Sequence, residues 1–182
     1  MMKIISLIFL LPALLLISCS PSQLAQFSQP SVHRQGLTQT PLQEVVIDPN
    51  FSKVVGQTIY VPIYSYIYYE NSEKSLDLAA TLSIRNTDLT QAIILTSARY
   101  YDTAGNLLKE YLEKPVKLQR LASLNLVVNR TDRSGGAGAN FIVEWVSDKK
   151  VSEPLIEAVM ISAVGNQSIS FVSHGKVIKH FP

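Results

Sequence analysis

The chain has 182 residues, with 16 Lys and Arg against 14 Asp and Glu, for a formal net charge of +2. The cations are interspersed with the anions, so the clustered basic footprint that nucleic acid requires is missing, and no nucleic-acid partner is expected. A single cysteine leaves no internal disulfide framework, so the fold must rest on its own apolar core.

Lys3 is followed by an almost wholly apolar run from Ile4 to Ile17, closed by Ser18 and Cys19. A charged start, a short apolar middle and a small residue before the cut form the pattern of a secretory signal. A spanning helix needs roughly 20 apolar residues; this run is shorter, and Pro12 interrupts it. Leu16-Ile17-Ser18-Cys19 resembles a bacterial lipobox. The expectation is therefore a signal-peptide helix over residues 1–18 and a diacylglycerol thioether on Cys19. Each buried CH₂ of such an anchor contributes about 0.8 kcal/mol, and two or three chains hold durably. The resemblance also implies that Ser20, rather than Asp, after the cysteine favours an outer membrane facing the periplasm in a two-membrane cell.

Residues 19–50 are dominated by Ser, Gln, Pro and Thr, with apolar residues scattered without period. Such a segment buries too little to offset its ordering entropy and reads as a disordered tether. At roughly 5–6 Å × √n it would hold a domain about 30 Å from the bilayer. Val45-Val46-Ile47, at its end, is a candidate first strand.

Residues 51–182 have the size of one domain with a real core. Period-2 alternation dominates. From Gln57 to Tyr69, Ile59, Val61, Ile63 and Ile67 share one face, and Tyr60, Tyr64, Tyr66 and Tyr68 share the other. Pro62 cannot donate to a ladder, which suggests an edge strand or a bulge. Leu76, Leu78, Ala80, Leu82 and Ile84 alternate next, ending at an Asn86-Thr87-Asp88 turn. Ala92–Tyr101 is rich in Ile, Thr and Tyr and hairpins through Asp102–Asn106 into Leu107–Leu112. Pro115 breaks that strand. Further strands follow around Leu124–Val128, Asn140–Val146, Leu155–Val164, Ser168–Val172 and Lys176–Lys179. About eight or nine short strands with turns between them and no helical period indicate an all-β fold, a single immunoglobulin-like β-sandwich. A small barrel is the alternative.

Several ordered stretches then fall together: Ser83–Asp88, Tyr100–Gly105, Gly135–Trp145, Glu157–Met160 and Ser170–Gly175. The set resembles the bacterial domain-of-unknown-function family 3124 over about Gln57–Ile178. The resemblance implies small exported or lipid-anchored proteins and brings no catalytic residues.

Gly135-Gly136-Ala137-Gly138 invites comparison with a phosphate cradle, but a strand follows instead of a helix and the Lys-Ser/Thr pair is missing. Arg130, Asp132, Arg133 and Asn140 flank the glycines and form a candidate binding loop. Tyr60, Tyr64, Tyr66 and Tyr68 form a candidate stacking platform for a glycan or a protein; the plainer reading packs these rings across strands. No zinc motif or nucleophile elbow accompanies His174 and His180, so no catalytic residue, metal or cofactor is assigned. Asp88, Asp102 and Asp132 sit in loops without a calcium-ligand spacing. The reading is a lipid-anchored envelope module, bound to the membrane through Cys19, with a binding or structural role: holding an envelope protein or polymer near the membrane. The competing readings are an envelope hydrolase and a small-ligand or ion receptor using the 130–140 loop.

Overall fold

The computed structural model describes residues 43–164 and 167–181; residues 1–42, and with them Cys19 and the leader, lie outside the described residues. In chain order the strands are β1 Gln43–Glu44, β2 Val55–Pro62, β3 Tyr66–Tyr69, β4 Asn71–Asp77, β5 Ala79–Arg85, β6 Ile93–Tyr101 and β7 Leu107–Glu110. They continue as β8 Val116–Leu118, β9 Ser123–Val128, β10 Asn140–Ser147, β11 Leu155–Val164, β12 Gln167–His174 and β13 Lys176–Phe181. Among the described residues there is no helix.

The strands form a seven-stranded sheet in the order β1-β8-β6-β10-β2-β13, with β7 also on β6, a four-stranded sheet β12-β11-β5-β9, and the hairpin β3-β4. Every pairing is antiparallel. Neither large sheet closes on itself. The result is an open all-β sandwich, and the barrel alternative does not hold.

The alternation read from the sequence produces the core. Ile59 and Val61 of β2, Phe141, Val143 and Trp145 of β10, and Leu95, Ala98 and Tyr100 of β6 are buried in one cluster with Leu82 and Ile84 of β5, Leu124 and Leu126 of β9, and Ala158 and Met160 of β11. Burying a large aliphatic or aromatic side chain of this kind contributes about 1.5–3 kcal/mol. The indole of Trp145 carries one polar atom inward. Its Nε1 donates to Gln57 Oε1 at 3.2 Å, and Gln57 Nε2 donates to Glu153 Oε1 at 2.7 Å. The buried N–H is thus satisfied through a relay to the surface.

Four sequence expectations need correction. First, Gln57–Tyr69 is not one strand. β2 ends at Pro62, and the chain then turns its hydrogen bonds to the β9–β10 loop: Ile63 N donates to Ala139 O and Ser65 N to Gly136 O. The tyrosine stripe is split accordingly between two sheets. Second, β2 is not an edge strand; it lies between β10 and β13. Pro62 is tolerated because the β13 ladder stops at Tyr60 opposite Lys176, two residues short of it. Third, the run from Leu76 to Ile84 breaks at Leu78, whose N–H donates to Ser65 O, into β4 and β5. Fourth, Val45-Val46-Ile47 is not a strand. Gln43 and Glu44 pair with β8 instead, and Val46 is 97 % exposed. The chain interrupted at Pro115 resumes as β8 on the same side of β6 as β7, a strand the sequence did not reveal.

The Asn86-Thr87-Asp88 turn is more than a polar corner. Asn86 is buried, and its Nδ2 lies within hydrogen-bond reach of the carbonyls of Gln91 at 2.9 Å, Leu118 at 3.2 Å and Gln119 at 3.1 Å. Asp88 Oδ1 accepts from the backbone N–H of Thr90 and of Gln91, both at 2.8 Å, and Oδ2 accepts from Ser152 N at 2.9 Å. These backbone donors, Ser152 first, hold the Asp88 carboxyl far below the usual carboxylate range.

Two outcomes follow. Asn86→Ala strands buried carbonyls and should lower unfolding free energy by about 1–3 kcal/mol in a urea titration; a change within experimental error would mean that water replaces the amide. Asp88 binds protons more weakly when folded than when unfolded. Its stabilisation is therefore full above the unfolded carboxylate pKa of about 3.9 and is lost as pH falls from there toward its depressed folded value. Asp88→Asn should be less stable at pH 7 and should show a shallower loss of stability below about pH 4 than the parent.

Candidate functional site

Two of the sequence's candidate surfaces meet in space. Tyr66 and Tyr68 are two residues apart on β3 and so share a face. Their rings meet edge to face, with centroids 5.5 Å apart. Arg133, from the β9–β10 loop, lies over the Tyr66 ring at 4.5 Å. Its guanidinium pairs with Asp77 of β4 and donates to Ser75 Oγ at 3.0 Å. The loop is thereby tied to the β3-β4 hairpin by one side chain that uses charge, hydrogen bond and ring face together.

The glycines explain how the loop reaches this position. A Cβ at Gly135 would lie 2.0 Å from the Tyr100 hydroxyl oxygen and 2.7 Å from Ala139 Cβ, so only glycine can pass there. Gly136 has φ +76°, in the left-handed region that glycine adopts without strain. The β6–β7 turn then stitches the loop down. Thr103 N and Thr103 Oγ1 both donate to Gly135 O at 2.9 Å, and Thr103 Oγ1 accepts from Gly138 N at 3.0 Å. Beneath it, the Tyr100 and Ser65 hydroxyls bond at 2.9 Å. Burial pushes the Tyr100 phenol pKa upward, although the bond to Ser65 opposes this.

Between these parts lies an open cleft of about 450 Å³. Tyr66 and Tyr68 form one wall, Asp102, Thr103 and Ala104 another, and Arg133 to Ala137 the third. Tyr68 is 54 % exposed, the more open of the two rings. Contact with the Tyr66 phenol raises the Tyr68 pKa, so the hydroxyl stays a neutral donor and acceptor at physiological pH. Asp102 is tied into its own turn: it accepts from Asn106 Nδ2 at 2.9 Å, Asn106 N at 2.8 Å and Ala104 N at 2.9 Å. These bonds, with Asn106 first, lower its pKa and keep it ionised.

The other candidates are dispersed. Tyr60 stands on β2 opposite Ile142 and Lys176, half-buried on the outer face of the large sheet. Tyr64 packs edge to face on Phe171 of β12 at 5.7 Å, against the core. Arg130 is exposed at the start of the loop. Asp132 accepts from Ser134 N at 3.0 Å and from its hydroxyl. Asn140 opens β10, opposite Tyr101 and Pro62. None of these five is among the residues that line the cleft.

Asp88, Asp102 and Asp132 each satisfy neighbouring backbone donors, the arrangement of Asx turns. No group of three metal-ligating side chains occurs among the described residues. The glycine loop has already committed amides to protein acceptors, Gly136 N to Arg133 O and Gly138 N to Thr103 Oγ1. His174 ends β12 with Nδ1 3.4 Å from Glu157, away from the cleft.

Asp102 and Thr103 were legible only as turn residues. Their place against the glycine loop depends on contacts some 30 residues away in sequence, and no local signal marks it. Ser75 and Asp77, the partners of Arg133, were hidden for the same reason.

No curated protein matches the chain. A solved structure described as Thermotoga maritima 1070 is similar over 66 % of this chain and 92 % of its own, at 12 % identity and a TM-score of 0.41. The family model described as "Protein of unknown function (DUF3124)" matches residues 56–178, a stretch that runs from β2 into β13 and takes in the whole cleft, and the chain therefore belongs to the DUF3124 family.

Proposed function

We propose that the protein is an exported, lipid-anchored module of the bacterial cell envelope, and that its cleft holds an envelope polymer. The anchor rests on the sequence alone: the apolar run Ile4–Ile17 ends at the only cysteine, Cys19. The binding role rests on one observation, the convergence of Tyr66, Tyr68, Arg133 and Asp102 around an open cleft.

The chemistry of that cleft suits a polar chain with flat, partly apolar rings, such as a glycan strand. Tyr68 offers an exposed aromatic face with a hydroxyl at its tip. Thr103 and Ser134 add hydroxyls along the walls. Arg133 and Asp102 are already paired with protein groups and so stand as fixed, pre-oriented charges. Pre-organised polar groups lose little entropy on binding, which favours holding a ligand. The parts come from three loops or hairpins held against the sandwich, the usual placement of binding residues on a rigid scaffold.

Cys19→Ala, expressed in a bacterial host, should take up no labelled palmitate and should leave the membrane fraction; label entering the variant would overturn the anchor. For the cleft, isolated peptidoglycan should co-sediment with the intact chain. Tyr68→Ala should weaken that retention by about tenfold, a loss of about 1.4 kcal/mol, with the melting transition unchanged. Tyr64→Ala should do the reverse, keeping retention while lowering the melting temperature, because its ring packs on Phe171. Equal retention by parent and Tyr68→Ala would remove the cleft from the binding surface.

A further inference from the structure

The sandwich presents free sheet edges, and most of them carry a device that discourages pairing. β1 is two residues long, and Glu44 on it is paired with Lys114 at 2.9 Å. β13 carries Lys176, Lys179 and His180 and has a register irregularity between Val177 and Lys179. β7 carries Lys109 and Glu110, and β4 carries Glu73, Lys74 and Asp77. β9 has no charge, but the Tyr111 hydroxyl reaches over and donates to Val127 O at 3.1 Å. Short length, charge, bulges and covering groups are the standard protections of an edge.

β12 has none of these. Gln167–His174 is an eight-residue strand in regular register with β11, and it ends the order β12-β11-β5-β9. From Gln167 to Ser173 it contains no charged residue and no proline. Apolar side chains stay partly open on both faces: Ile169 is 40 % exposed on the inner face, and on the outer face Val172 is 47 % exposed and Ile161, opposite Ser170 on β11, 48 %. Among the described residues, Phe171 packs on Tyr64 on the inner face, and Ser173 Oγ at the C-terminal end donates to Pro62 O.

We propose that the β12 edge is the site at which a second copy of this chain adds, in antiparallel self-pairing about a dyad through Ser170. Among the described residues no strand pairs with the outer side of β12; such an edge is a template for another strand, and its neutrality sets no like-charge repulsion against its own copy. The dyad places Ile169 beside Phe171 of the second copy on the inner face, and Ser168 beside Val172 on the outer face. The first pairing sets an aliphatic β-branched side chain against an aromatic one, a favourable cross-strand combination. Ser170 then faces itself. The two four-stranded sheets become one continuous sheet, and the interface closes on itself without propagating.

Directly opposed antiparallel residues have Cα atoms about 4.5–5.5 Å apart, within the roughly 4.4–6.8 Å that a disulfide spans. The test is made in the full chain carrying Cys19→Ala, oxidised with copper phenanthroline. Adding Ser170→Cys should give a disulfide-linked dimer. Asn125→Cys, on the opposite edge strand β9, should give little more than the Cys19→Ala parent. Adding Val172→Lys to Ser170→Cys should cut the linked dimer by about tenfold without changing the melting transition, since Val172 is 47 % exposed on the outer face. A monomeric Ser170→Cys chain, including one whose β12 instead receives a strand from another protein, would overturn the proposal. So would equal linking through Asn125→Cys, or linking indifferent to Val172→Lys.

Discussion

The packing of β10 between β6 and β2 is the constraint on which the rest of the molecule depends. It pairs along its whole length with β2 and over most of it with β6, and it drives Phe141, Val143 and Trp145 into the core, all fully buried. A strand flanked on both sides cannot slip by one residue without turning these three side chains out to water. The start of β10 is thereby fixed, and so is the loop that leads into it. The cleft exists because that loop has only one way to arrive.

The arrival is controlled by space more than by charge. Tyr100 and Phe141 pack with ring centroids 5.1 Å apart, and the Tyr100 hydroxyl stands where a Gly135 side chain would be. Thr103 then occupies the loop's exposed backbone groups. Arg133 adds the last tie, to a hairpin that belongs to neither large sheet. The site is a seam between the core of one sheet, a turn and an outlying hairpin, and each contributes one wall.

Period-2 alternation revealed most of the fold in the sequence, because a half-buried strand must alternate whatever its partners are. β5, β9 and β10 were visible this way, while β6 showed through its Ile, Thr and Tyr content. Alternation does not reveal where a strand changes sheets. The tyrosine run continued in period across Pro62–Ser65 although the backbone there leaves β2 to bind the β9–β10 loop. The same blindness hid the break at Leu78. β8 was missed because three residues, Val116–Leu118, are too few to show a period. At the site, the glycine loop and the tyrosines were each visible, since unusual composition is a local property. Their contact, and the contributions of Asp77 and Thr103, arise from tertiary closure and leave no mark on any single stretch of chain.

Gly175 is the only residue between β12 and β13, which lie in different sheets. Its N–H donates to Ile156 O at 2.9 Å, and a Cβ there would lie 2.7 Å from both that carbonyl oxygen and Ile59 Cγ2. With so short a crossing there is no slack to let one layer loosen while the other stays intact. Opening at this corner strains both layers at once, which makes the sandwich a single cooperative unit on denaturation rather than two separable leaves.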